Sequence, residues 1–313
     1  MKKKLYSIII LISITLLIVN IFIKSSSLTE IIVFSSDLFI KNIFPSLFPM
    51  FIISYVLVEL GLPNVLGSIF KGVTSKLFHV KGESSFIFFM SMITGFPSSA
   101  KYINDLLDRK VIDVKDAEKI LMFTFFSNPL FIINTVGNTF YNSFKIGLII
   151  LLSHSLGNII VGLIFRNYHK QVYIDSSNKI EALRLLNNNI NSSNIFKLFF
   201  KGISSSLETL VNIFGIVTFF LILVNLLFNR PSSLFQIFIT GILEMTTGLK
   251  YLSLTTLPIK IKVAISSFFL SFGGLAVHSQ IMNILNEKKV KYLPFLTARI
   301  IHGLIAFIIA LVL

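Results

Sequence analysis

The chain has 313 residues, 54% of them hydrophobic and only 13% charged, and its mean hydropathy of +0.84 excludes a soluble globular domain of this length. It carries 28 Lys and Arg against 14 Asp and Glu, a formal net charge of +14. These basic residues flank apolar runs, as membrane topology and anionic headgroups require, so no nucleic-acid partner is expected. The absence of cysteine excludes a disulfide framework, a thiol nucleophile and thiolate metal ligands.

Long apolar runs joined by short polar stretches suit helices; the strands of a transmembrane barrel would alternate apolar and polar residues over roughly ten positions. The expected fold class is therefore an all-α polytopic membrane protein. Residues 5–23 follow the basic start "MKKK", are long enough to span a bilayer and lack an A-x-A-like cleavage site, which predicts an uncleaved first helix within a unit 1–27. Residues 28–43 mix apolar side chains with Glu30, Asp37 and Lys41, the pattern of a helix lying at the interface. "FPSLFPMFIISYVLVELG" (44–61) reads as a span with its prolines in the first turns, where missing N–H donors cost least.

"MITGFPSSAKY" (92–102) interrupts an apolar segment with Gly95, Pro97, two serines and Lys101. "ILMFTFFSNPLFIINTVG" (120–137) is broken at Ser127, Asn128 and Pro129, whereas residues 144–165 form an uninterrupted span. Residues 166–195 are hydrophilic and read as a cytoplasmic linker. In the second half an amphipathic opening (195–210) precedes a span (211–228), then an interfacial stretch with Glu244 and Lys250, then "SSFFLSFGGLAVHSQIMNILNEKKV" (266–290) and a last span.

Sliding Gly95 onto Gly274, a shift of 179 residues, also pairs Phe89 with Phe268, Asn104 with Asn283, Leu106 with Leu285 and Lys110 with Lys289. The expected organisation is thus a first repeat (28–143), a connecting span and linker (144–194) and a second repeat (195–313). If each glycine-broken segment is a re-entrant hairpin, the span 144–165 sets the two halves in opposite orientations.

Irregular backbone is tolerated at membrane depth only where protein buries it or a wet cavity adjoins it, so the breaks mark the expected binding site. Pro97 can open a new half-helix with the Ser98 and Ser99 amides free, and Asn128 before Pro129 can cap a second. Such positive helix ends favour an anion. Lys101 in a first turn opposes the helix dipole, so it either meets an anionic substrate or snorkels to the interface. Gly273 and Gly274 permit close approach, and His278, Ser279 and Gln280 follow within a turn; His278 reads either as a ligand or as a packed core histidine. Arg299 and His302 share a face of the last span, and an arginine there needs a carboxylate or carbonyl partner. His154 and Asn158 are expected to join helices.

Glu83, Glu118 and Glu244 have no His at metal-ligand spacing, and G-x-S-x-G and phosphate-cradling loops are absent, so no enzyme activity, metal or cofactor is expected. A structural or assembly role in the membrane is the alternative to transport. Membrane lipid is an expected partner, and self-association into a homo-oligomer is left open.

"FPSLFPMFIIS" (44–54), "TGFPSSAKY" (94–102), "SNPLFIINTVG" (127–137) and "FGGLAVHSQI" (272–281), in this order along nearly the whole chain, resemble the sporulation integral membrane protein YlbJ (SpoVV) family, grouped with proteins carrying a nucleoside-recognition, or Gate, domain. The resemblance implies an architecture like the concentrative nucleoside transporters, with two re-entrant hairpins and two broken helices in inverted repeats. It also implies transport of dipicolinate, a planar organic dianion, across the outer forespore membrane during sporulation. The chain departs from the family pattern where Ser99 replaces an expected glycine. It also shows none of the acidic hairpin residues with which nucleoside transporters grip ribose.

Overall fold

The computed structural model describes residues 25–170 and 179–313, with Thr15 and Val19; apart from those two positions, the helix expected at 5–23 lies outside the described residues. All regular structure among the described residues is helical. Helix α1 (Ser25–Leu38) runs through a π-helical turn (Phe39–Ile43) into α2 (Phe44–Leu60). Leu28–Lys41 and Phe44–Leu60 meet at a 47° bend. Pro45, without an N–H, leaves the Lys41 carbonyl without its i+4 donor, which is where the ladder loosens. The stretch 28–43 read as a separate interfacial helix is thus joined to the span after it. Gly61, at φ +90°, ends α2 and starts α3 (Leu62–Phe78).

α4 (Ser84–Thr94) and α5 (Ser98–Asp108) pack on each other across the turn at residues 95–97. α6 (Val114–Phe123) opens with an Asp113/Asp116 capping box. The chain then unwinds over 124–128, resumes as a helical stretch that becomes π-helical (Phe131–Phe140) and enters α7 (Phe144–Ile164), capped by Ser143. The stretch read as a linker contains α8 (Lys179–Ser192), which packs on α3 and whose Asn189 Nδ2 donates to Leu60 O at 3.1 Å.

α9 (Ile195–Leu227) is one helix of 33 residues. At about 1.5 Å per residue it outreaches the roughly 30 Å hydrocarbon layer, so the amphipathic opening and the span expected separately are continuous. There follow α10 (Leu234–Leu243), α11 (Met245–Ser253), α12 (Ile259–Phe272), α13 (Gly274–Ile284), a 3₁₀ turn (Asn286–Lys288) and α14 (Tyr292–Val312).

Among the described residues four helices are long and apolar enough to cross a membrane: α7, α9, α12 with α13 (Ile259–Ile284) and α14; the bent α1–α2 pair makes a fifth. In Ile259–Ile284, 72% of the most apolar stretch is buried, against 28–44% in the other three, so it runs through the centre. The core crosses between the halves. Val277 and Ile281 of α13 pack with Phe86, Tyr102 and Ile120, while Ile132 and Ile150 pack with Leu249 and Phe269.

These contacts correct the expected register of the halves. The second place where the chain packs back on itself is the α10–α11 turn around Glu244, not Gly273. Gly273, at φ +91°, ends α12, and α13 restarts at once within one span. In element order the α4–α5 turn therefore corresponds to the α10–α11 turn, and the unwound stretch 124–128 to the Gly273 break. The 179-residue shift matched a fold-back to an interruption. The α10–α11 crossing is made possible by two glycines: a Cβ on Gly248 would lie 2.3 Å from Gly241 Cα.

Candidate functional site

The four interruptions converge on one cavity of about 480 Å³. Thr94, Phe96 and Pro97 come from the α4–α5 turn, Ser127, Asn128 and Asn134 from the unwound stretch and the π-helical segment, Glu244 and Thr246 from the α10–α11 turn, and Ala276 and Gln280 from α13. Ser46 of α2 and Ile213 and Val217 of α9 close it. Of the residues singled out from sequence, Pro97, Ser127, Asn128 and Gln280 stand on this wall.

Asn128 ties the wall together. Its Oδ1 accepts from Leu130 N at 2.8 Å, capping the chain that follows, while its Nδ2 donates to Ser46 Oγ at 2.9 Å and reaches Thr94 O at 3.4 Å. Gly95 supports it from behind: it sits at φ +80°, and its Cα packs directly on the Asn128 backbone. The Phe96–Pro97 peptide is cis, and Phe96 N donates to Phe126 O at 2.6 Å. α5 and α13 both begin without a side-chain cap, but the Ser98 and Ala100 amides of α5 donate to Gly95 O at 3.1 Å and Pro97 O at 3.0 Å, so the Ser98 amide is not free as the sequence led one to expect.

The remaining expected site residues serve the scaffold. Lys101 is buried away from the wall, where Nζ meets Asp105 Oδ1 and Ser205 Oγ, each at 2.8 Å. That carboxylate supplies the negative partner its position demands. The Ser98 and Ser99 hydroxyls are buried without a hydrogen-bond partner among the described residues. Gly273 packs on the Phe125 ring, Gly274 on the backbone of residues 241–245, and Ser279 is half-buried off the cavity wall.

His278, Arg299 and His302 are engaged as well. His278 Nε2 donates to Phe272 O at 2.7 Å, and Nδ1 shares a hydrogen bond with the Tyr292 hydroxyl at 3.0 Å. Arg299 is fully buried; it donates to Met122 O and, at 2.9 Å, to His302 Nδ1, and its guanidinium lies over the Phe125 ring, 4.5 Å from the centroid. His302 Nε2 then donates to His154 O at 2.8 Å. His154 Nε2 accepts from Ser127 N at 2.8 Å, so Nδ1 donates to Ser271 Oγ at 2.9 Å. The His302 and His154 imidazoles each accept on one nitrogen and are neutral. His302 therefore cannot balance a substrate charge, His278 is bonded at both ring nitrogens, and Arg299 is shielded behind Phe125. Asn158 Nδ2 donates to Phe125 O at 2.7 Å, so His154 and Asn158 join α7 to both interruptions.

Glu244 is the wall residue that sequence reasoning placed elsewhere. Read as interfacial, it is 5% exposed and caps α11, its oxygens accepting from Thr246 N at 3.0 Å and Thr247 N at 2.7 Å. Glu244 thus stands at the turn between α10 and α11. The Gly241–Gly248 spacing and the Glu-Met-Thr-Thr capping pattern were the signals for it.

An all-helical membrane bundle with a cavity assembled at its chain interruptions is the class of protein this geometry defines. Along its length the chain is similar to sporulation integral membrane protein YlbJ of Bacillus subtilis (strain 168): 29% identical over 300 residues, covering 87% of this chain and 74% of that protein. The likeness extends over most of this chain, in keeping with the resemblance carried by its four motifs. No family model matches the chain, and no solved structure matches it either.

Proposed function

We propose that this integral membrane protein acts in sporulation as a carrier of a small organic anion, dipicolinate first among the candidates, across the outer forespore membrane. The sporulation role follows the name of its relative YlbJ. The observation that carries the transport reading is that segments flanking four chain interruptions meet at one partly open cavity, whose largely apolar wall carries Ser, Thr, Asn, Gln and Glu side chains. Such interruptions are costly in a bilayer unless they surround a solute. The uncapped start of α13 favours the anion, and Phe96 and Phe131 on the wall suit a planar ring.

The halves share one order of elements: a fold-back pair, an interrupted helix and a 21-residue span, α7 or α14. We read them as inverted repeats of nucleoside-transporter type, with alternating access arising from movement of the fold-back pairs against the α7–α14 scaffold.

Uptake of labelled dipicolinate into proteoliposomes tests this. Saturable uptake is expected, reduced about tenfold or more by Asn128→Ala and Gln280→Ala through lost wall hydrogen bonds. Gly215→Ala, with nothing within 4 Å, is the control. Folded protein inactive under every ion and pH gradient would refute the carrier and favour an assembly role. Glu244 supports a second reading, a neutral hydroxyl-bearing solute such as a nucleoside, whose hydroxyls would donate to the carboxylate; competition by nucleosides in the same assay separates the two.

A further inference from the structure

We propose that Glu244 makes the cavity a shared cation site, completed only when a dicarboxylate substrate is present. This rests on the anion-carrier reading above. Two backbone amides donate to the Glu244 carboxylate, and each oxygen keeps a further acceptor position. No cationic side chain pairs with Glu244 among the described residues. Lys41, the other charged wall residue, is held by Asp37 at 2.9 Å. Lys250 of α11 lies over the Phe34 ring, Lys262 of α12 is held by Ser253 O and Thr255 O, and His278 of α13 is engaged by Phe272 O and the Tyr292 hydroxyl. α9 presents only Ile213 and Val217. Glu244 is thus the one carboxylate on the wall, and with Lys41 held by Asp37 a dianion entering alone meets no free cationic side chain there.

The wall also limits which counter-charge fits. Apart from the Lys41 ammonium, which Asp37 holds at 2.9 Å, its side-chain polar atoms are those of Ser, Thr, Asn and Gln beside the one carboxylate, and their oxygens are donors suited to a hard cation. The described residues contain no cluster of three acidic or histidine ligands able to hold a metal by themselves. The substrate's carboxylates must supply the remaining ligands, so cation and dicarboxylate bind together and neither binds well alone.

Calorimetric titration of the purified full chain at constant pH tests this, with pyridine-2,6-dicarboxylate in tetramethylammonium buffer containing chelator, then with Na⁺, K⁺, Mg²⁺ or Ca²⁺ at matched free ligand. At least one metal ion should strengthen binding about tenfold or more, and the four salts identify which. Glu244→Gln, which keeps one capping acceptor, should bind with less than about twofold dependence on the salt. In the unmutated chain the monoanion pyridine-2-carboxylate should show a weaker dependence, a comparison that does not rely on a variant folding. Tight binding without metal ions, an undiminished salt effect in Glu244→Gln, or a response to pH alone would overturn the proposal and leave the carrier reading intact. No binding in any salt would overturn both.

Discussion

Replacing Gly95 by alanine should push the α4–α5 turn off the unwound chain it rests on. The added Cβ would lie 2.3 Å from Asn128 N and 2.8 Å from its Cα, both backbone atoms, whereas ordinary contact begins near 3.4 Å. The turn must retreat by about 1 Å to restore ordinary contact, pulling on the 2.6 Å bond from Phe96 N to Phe126 O. Alanine must also adopt φ +80° with ψ 177°, a region essentially reserved for glycine. Backbone strain of about 1–3 kcal/mol and overpacking of about 1–3 kcal/mol together predict a loss of about 2–6 kcal/mol. Gly215→Ala on α9 meets nothing within 4 Å and should gain up to about 1 kcal/mol from helix propensity. Denaturant unfolding of both variants in the same detergent, followed by circular dichroism, makes the comparison. Gly95→Ala within about 0.5 kcal/mol of the unmutated chain would refute the close approach.

The Lys101–Asp105 pair, with side chains 6% and 8% exposed, should lose about 3–5 kcal/mol when either partner alone is neutralised, as in Lys101→Met or Asp105→Asn. The double replacement should cost much less than the sum; additive losses in a double-mutant cycle would show that the pair does not interact. At the end of α3, outside the candidate spans, burial holds the His79 imidazole below its ordinary value of 6.5, and the Arg166, Lys119 and Lys170 charges act in the same direction. The unfolded chain then binds the extra proton more readily, so stability is fully present above 6.5 and falls as pH drops through that value. Unfolding midpoints measured from about pH 7 to about pH 5 should fall further in the unmutated chain than in His79→Gln; equal slopes would discard His79 as the source.

The positions of three interruptions were legible in the sequence because their cause is local. Gly95 with Pro97, Asn128 with Pro129, and the Gly273–Gly274 pair each stop an apolar helix through the residues at the break itself. Glu244 escaped because its turn contains neither glycine nor proline; its glycines sit three residues before and four after, where they let α10 and α11 cross closely. The same limit applied to the charged residues. Lys101 was correctly expected to need a negative partner, but Asp105, four residues along the same helix, provided it in place of a substrate.

Composition and hydropathy by themselves determined an all-helical membrane protein, and glycine and proline chemistry determined where its helices fail, because both depend on residues adjacent in the chain. Tertiary structure decided whether the chain turns back or continues after each failure. It continues at Gly273, where α13 packs on α5, α9 and α10, and it turns back at Glu244, where Gly241 admits Gly248. It also decided which polar groups reach the cavity, since His278, Arg299 and His302 find their hydrogen-bond acceptors on the chain itself, while Glu244 keeps an open side toward the space where four separate segments meet.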